Sequence, residues 1–199
     1  MRELAKQAVR ALALVAVSPA LLSYAVRSRF VGADRALADS SQAFALLPGL
    51  SGQYLRRAFL SRVLAECAPS SVVEFGTLFS QAQARIESNV YIGPRCHIGL
   101  VHLERDVLLA AGVHVPSGPH THGTMPGMPI REQPGTPRVV RIGAGAWIGS
   151  GAIVLADVGR ETIVGAGSVV TQALPDNVIA AGVPARVVRR RDEPTTVSA

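Results

Sequence analysis

Along the C-terminal two-thirds of the chain an aliphatic side chain returns every sixth residue: Ile86, Ile92 and Ile98, then Leu103, Leu109 and Val115, then Ile142, Ile148 and Val154, then Val164 and Val170. A helix repeats near 3.6 residues and a half-buried strand near two, so neither produces this spacing. The fourth residue after each aliphatic tends to be small or β-branched, as at Val90, Cys96, Val107, Val113, Ala146, Ala152, Val158 and Ser168. Glycine often follows the aliphatic directly, as at Gly93, Gly99, Gly143, Gly149 and Gly165. A short fixed period marks a solenoid, and a period of six predicts a parallel β-helix. Each hexad supplies one short strand and one tight turn, and three hexads close a triangular coil with the aliphatic side chains inside. The sets 86/92/98, 103/109/115 and 142/148/154 are then successive rungs, stacked about 4.8 Å apart. The period slips where 98 passes to 103 and where 154 passes to 164. The absence of period-two alternation disfavours a β-sandwich.

The N-terminal third lacks this period. Residues 11–26, ALALVAVSPALLSYAV, carry no charge and are bracketed by Arg10, Arg27 and Arg29. The run is short for a bilayer span, which takes roughly 20 residues, and Pro19 is expected to kink a helix there. A basic start before an apolar run also suits a signal peptide, but no clean small-x-small cleavage site follows. Three readings stay open: a membrane-surface or shallow anchor, which we favour; a helix buried against the solenoid or a neighbouring subunit; and a true span or signal. Between Gln53 and Cys67 the residues Tyr54, Leu55, Phe59, Val63 and Leu64 fall at helical spacing, predicting an amphipathic helix that caps the open first rung. The expected organisation is a helical, apolar segment over 1–70, a solenoid domain over 71–190 and a flexible tail over 191–199.

Composition narrows the function. The net charge is +6, but Lys6 is the only lysine and, apart from Arg189, Arg190 and Arg191, the arginines are scattered. With aromatics at 5%, the basic stripe interleaved with stacking rings that nucleic-acid binding calls for is missing, so no nucleic-acid partner is expected. Cys67, placed in the predicted helix, and Cys96, at an inward corner, read as reduced core residues.

All five histidines, His97, His102, His114, His120 and His122, fall in one 26-residue window that ends where the six-residue period stops. From Pro119 to about Val140 the chain is rich in proline and glycine and leaves the solenoid as a loop. Loops held by a rigid scaffold are where sites are usually built.

These hexads, the loop, and three motifs in order resemble the hexapeptide-repeat acyltransferases. The motifs are Trp147-Ile-Gly, Gly165-Ala-Gly-Ser-Val-Val-Thr171 and Gly182-Val-Pro-Ala-Arg186. The likeness covers about residues 72–190 and is strongest to the sugar, antibiotic and serine O-acetyltransferases, including the maltose and galactoside enzymes. The resemblance implies a left-handed parallel β-helix, a homotrimer with a site in each cleft between protomers, and acetyl-CoA as donor with no metal. A histidine at the loop would act as general base on an acceptor hydroxyl, a role suited to an imidazole that titrates near neutrality. Ser117-Gly118-Pro119-His120 fits a short Gly-x-His pattern, and Ser117-Gly118 with His122-Gly123 fits a longer one; we lean to His122, with His120 close behind. On the CoA side, the likeness points to Trp147, Ala152, Gly165, Ala166 and Ser168 along the cleft, with Arg186 and Arg189 or Arg190 for the phosphates.

Other classes compete. The same architecture serves γ-type carbonic anhydrases, and the gap between His97 and His102 is like one in their zinc site; zinc there needs three convergent imidazoles. A catalytically inactive trimeric scaffold is a third reading. For the acceptor, neither a large helical N-terminal domain nor an aspartate near the base is evident, which argues against serine. The resemblance points to a sugar or surface-glycan hydroxyl, and the apolar N-terminus to a lipid-proximal one, a lipid-linked sugar, surface polysaccharide unit or glycolipid, modified by a cytoplasmic protein that is expected to lie peripheral to the inner membrane face.

Overall fold

The computed structural model describes residues 2–192. Three helices, α1 (Arg2–Val31), α2 (Ala33–Ala45) and α3 (Gly49–Val63), precede a left-handed parallel β-helix of about six turns. The first coil is built from β1 (Glu66–Cys67), β2 (Val72–Val73) and β3 (Leu78–Phe79), and the second from β4 (Arg85–Ile86), β5 (Tyr91–Ile92) and β6 (His97–Ile98). The third holds β7 (Val101–Leu103), β8 (Leu108–Leu109) and β9 (His114–Val115), and the fourth β10 (Val140–Ile142), β11 (Trp147–Ile148) and β12 (Ile153–Val154). Above them come β13 (Ile163–Val164), β14 (Val169–Val170), β15 (Val178–Gly182) and β16 (Ala185–Arg190). Stacking sorts the strands into three faces: A (β1, β4, β7, β10), B (β2, β5, β8, β11, β13, β15, β16) and C (β3, β6, β9, β12, β14).

The expected rungs hold in register. Ile86 stacks on Leu103 and Leu103 on Ile142; Ile92 on Leu109, Ile148 and Val164; Ile98 on Val115; and Val154 on Val170. All are buried. Both slips resolve into complete coils. The step from Ile98 to Leu103 is the passage from face C to face A, shortened by one residue. Between Val154 and Val164, Val158 takes the inward position of face A, bridging Ile142 below and Leu174 above.

One boundary is corrected. Cys67 is not helical: α3 ends at Val63, and Cys67, Val73 and Phe79 make a first coil that pairs with 86/92/98. Cys67 and Cys96 are both buried free thiols. At the far end Arg191 is tied to the coil rather than loose, its backbone N–H donating to Asn177 O (2.8 Å) and its guanidinium to Glu161 O and Oε2 (both 2.7 Å). The rest of the expected tail, 193–199, lies outside the described residues.

The helices cap the first coil as expected. Buried Arg56 on α3 donates from Nε to Val73 O (3.0 Å) and from one Nη to Phe44 O and Leu47 O, joining the coil to the C-terminal end of α2. Ser41 on α2 exchanges hydrogen bonds with the backbone N–H and C=O of Phe79, and Asp34 accepts from Ala82 N. Phe59 stacks on Phe44 at 4.6 Å and meets the edge of Tyr24 of α1. These bonds occupy backbone groups that would otherwise leave an open, adhesive edge. At the opposite end β16 turns back antiparallel on β15.

Helix α1 runs through Pro19 without a break. Proline supplies no N–H to Val15 O four residues earlier, and the Ser18 hydroxyl takes that carbonyl at 2.8 Å. Arg10, Ala13, Leu14, Val17, Ala20, Leu21 and Tyr24 line the side of α1 turned to the protein. Leu12, Val15, Leu22, Val26 and Phe30, the last 84% exposed, cover the other. The segment Lys6–Val31 is long and apolar enough to cross a membrane, with 11% of its most apolar window buried.

Candidate active site

The five histidines separate into three places. His102, on face A, is hydrogen-bonded to Glu87 at 2.7 Å, and Glu87 also accepts from Arg105 N. His97 and His114, on face C, stack one above the other. His120 and His122 lie exposed on the loop between β9 and β10. His97 and His102 therefore point away from different faces, and the described residues hold no group of three or more His, Cys, Asp or Glu able to bind a metal. The zinc arrangement weighed above gains no support from this geometry.

The loop is built to hold a fixed shape. Ser117 (φ 71°) and Gly118 (φ 89°) both adopt left-handed torsions that turn the chain sharply out of the coil. The strain at Ser117 is offset by its hydroxyl, which accepts from Leu100 N at 2.8 Å. The neck closes through Arg138 N donating to Ser117 O (2.9 Å) and Thr136 N donating to His120 O (2.7 Å). Further out, buried Gln133 accepts from Met125 N and donates to Met125 O and Met128 O at 2.7–2.8 Å. Gly135 passes so close to the Thr121–His122 peptide that a Cβ there would lie 2.0 Å from Thr121 O. Both imidazoles thus project from a backbone pinned on either side.

The residues matched to the CoA cleft gather at one end of face B. Trp147, 49% exposed, lies in an outward column with Tyr91, Leu108, Ile163 and Ile179, and Ile179 pairs with Arg189. At the corner between faces B and C the successive turns are Ala110-Ala-Gly112, Gly149-Ser-Gly151, Gly165-Ala-Gly167 and Ala181-Gly182. That edge carries almost no side chain beyond Cβ, and bonds between coils, such as Gly151 N to Ala111 O and Gly167 N to Ser150 O (2.9 and 2.8 Å), hold it as a narrow, smooth ridge along which an extended ligand could lie. The coils also approach closely here: a Cβ at Gly149 would lie 2.5 Å from Ala166 N. Arg186 pairs with Ala181 at the top of this corner. Two of the expected residues are buried in the corner itself. Ala152 is wholly buried, and Ser168, 1% exposed, accepts from Gly182 N (3.1 Å), so both shape the corner from inside.

Sequence reasoning did not pick out Gln133, Arg138 or the His97–His114 stack. The stack was readable in principle: the two lie 17 residues apart, one coil, as do Arg85 and His102.

The hexapeptide repeat of succinyl-transferases matches residues 83–116 and 139–172, and the gap between the two matches is the extruded loop. The chain is 28% identical over 165 residues to the galactoside O-acetyltransferase of Escherichia coli K12, covering 71% of this chain and 80% of that protein. It is 29% identical over 130 residues to an E. coli K12 protein provisionally named as a lipopolysaccharide biosynthesis O-acetyl transferase, covering 60% of this chain and 64% of that one. A solved galactoside acetyltransferase in complex with coenzyme A superposes with a TM-score of 0.61 at 24% identity, over 80% of this chain and 81% of that one. The chain thus carries the hexapeptide repeat in two runs and is similar, in sequence and in its left-handed β-helix fold, to hexapeptide-repeat O-acetyltransferases.

Proposed function

We propose that this protein is an O-acetyltransferase that moves an acetyl group from acetyl-CoA to a hydroxyl of a sugar or surface glycan. The observation that carries the reading is the histidine loop, leaving the prism where the hexapeptide pattern is interrupted and held rigid at its neck. The galactoside and lipopolysaccharide names of the two relatives favour a glycan acceptor.

One of the loop imidazoles, His120 or His122, takes the proton of the acceptor hydroxyl as its oxygen attacks the thioester carbonyl. The tetrahedral intermediate expels the CoA sulfur, which takes the proton back from the imidazolium, leaving acetylated acceptor and free CoA thiol. No covalent enzyme intermediate is needed. Trp147 and the small-residue corner would flank the pantetheine arm, with Arg186 and Arg189 toward the phosphates. Within one protomer the corner and the loop flank opposite sides of face C. A homotrimer in which one protomer's loop reaches the next protomer's corner brings base and donor together, and the apolar outward column of face B suits burial in such a seam.

The exposed apolar side of α1 suits a shallow seat on a membrane. Residues 1–63 hold nine basic and three acidic side chains, so the whole net charge of +6 resides in the helices, as attraction to an anionic surface requires. That arrangement favours a cytoplasmic protein peripheral to the inner membrane face, acting on lipid-linked or surface glycan units.

The direct test is acetyl-CoA consumption by the full-length protein against a panel of sugars, glycolipid head groups and amino acids. Turnover with sugars or glycolipids supports the reading. Turnover confined to amino acids, or none at all, contradicts it.

A further inference from the structure

A second cluster of charge lies far from the histidine loop, where α1, α3 and the first coil meet. A cavity of about 350 Å³ there is lined by Arg10 and Leu14 of α1, by Arg57, Ala58, Ser61 and Arg62 of α3, and by Cys67 and Pro69 of the first coil. Its volume falls in the range of small-molecule sites, about 300–1,000 Å³. Arg57, Ala58, Ser61 and Arg62 share one face of α3 by their i, i+1, i+4, i+5 spacing, and Arg10 enters from the packed side of α1.

No carboxylate pairs with Arg10, Arg57 or Arg62 among the described residues. The Nε of Arg10 is buried without any hydrogen-bond partner. Arg57 is held over the Tyr54 ring at 4.8 Å. Its guanidinium is destabilised first by burial and then by the like charge of Arg10. Two cations that repel each other and line one cavity, the first of them with a buried donor left unpartnered, form an arrangement that an anion with several acceptor oxygens would relieve. The apolar wall of Leu14, Ala58 and Pro69 leaves room for a carbon chain beside it.

We propose that this cavity binds a phosphate group, through Arg10, Arg57 and Arg62, either as free phosphate or as the headgroup of a phosphate-bearing lipid. The guanidiniums supply paired N–H donors to the phosphate oxygens, and α1 would be drawn more tightly onto α3 on binding. The site is separate from acetyl transfer and does not depend on it.

The test is thermal melting of the full-length protein in sodium chloride, inorganic phosphate or dihexanoyl phosphatidic acid, at matched ionic strength. A saturating ligand should raise Tm by about 3 °C or more over chloride. Arg10→Gln with Arg57→Gln should weaken apparent binding at least tenfold while melting no lower than wild type in chloride, because it relieves a repulsion. Arg62→Gln, at an exposed position, should weaken binding at least threefold and serves where the double variant is too unstable to compare. A larger shift with the lipid identifies a headgroup site, and equal shifts identify a free-phosphate site. No shift with either ligand, or shifts unchanged in the variants, overturns the proposal. Vesicle binding through the apolar face of α1 would persist in these variants, so the two ideas fail separately.

Discussion

His97 and His114 lie ring over ring on face C, with centroids 4.8 Å apart and planes 4° from parallel. Burial, and then the neighbouring His97, push the His114 imidazole below its ordinary value of 6.5. The unfolded chain therefore takes up this proton more readily than the folded one. The contribution to stability is complete above pH 6.5 and is lost as the pH falls from there through the depressed folded value. Melting followed from pH 7.5 to 5 should show a falling Tm, and His114→Asn should flatten part of that fall. The same slope in variant and wild type would contradict the assignment.

The interior of the prism should tolerate loss of volume but not charge. Ile148 is wholly buried, stacked between Leu109 and Val164. Ile148→Val should cost about 0.5–1.5 kcal/mol. Ile148→Asp places an unpaired carboxylate in the coil, costs several kcal/mol and should abolish cooperative melting. A soluble, cooperatively melting Ile148→Asp protein would show that the prism is not packed as described.

Arg56 couples the helical cap to the solenoid. Arg56→Leu keeps the bulk but removes the guanidinium donor from Val73 O, Phe44 O and Leu47 O, leaving Phe44 O its backbone donor alone. The expected loss is about 3 kcal/mol by urea denaturation, or a fall in Tm of about 6–12 °C. A change under 2 °C would mean that the cap is held by packing alone.

Gly135 tests the loop without touching an imidazole. A methyl group there collides with the Thr121–His122 peptide. Gly135→Ala should lower kcat/KM for acetyl transfer at least tenfold while leaving Tm within about 2 °C, because the loop contributes little to the core. Unchanged activity would show that the position of the loop backbone is irrelevant to the chemistry.

The prism was legible because its burial repeats: Ile86, Leu103 and Ile142 each occupy the same inward station, and branched side chains advertise that station in the sequence. The first coil was hidden because Cys67, Val73 and Phe79 fill the same stations with unlike residues, and the helical spacing before them ran on into Cys67. Val158 falls at the fourth position after Val154 yet fills an inward station, because the coil step preceding it is shortened to four residues. At the site, the loop and its histidines stood out by composition. The network that shapes the loop did not, because Gln133 binds backbone groups of Met125 and Met128, and no residue pattern encodes such a contact. Ala152 and Ser168 are small and buried, and smallness serves a crowded interior corner and a groove alongside it alike, so residue type does not separate the two roles.

The central claim is that an imidazole on the extruded loop is the general base of acetyl transfer. It is tested most directly by kcat/KM with acetyl-CoA and the preferred sugar acceptor for wild type, His120→Ala, His122→Ala and the double variant, each checked for unchanged assembly by sedimentation. One single variant and the double variant should lose at least about 100-fold. Turnover in the double variant within tenfold of wild type would contradict the account.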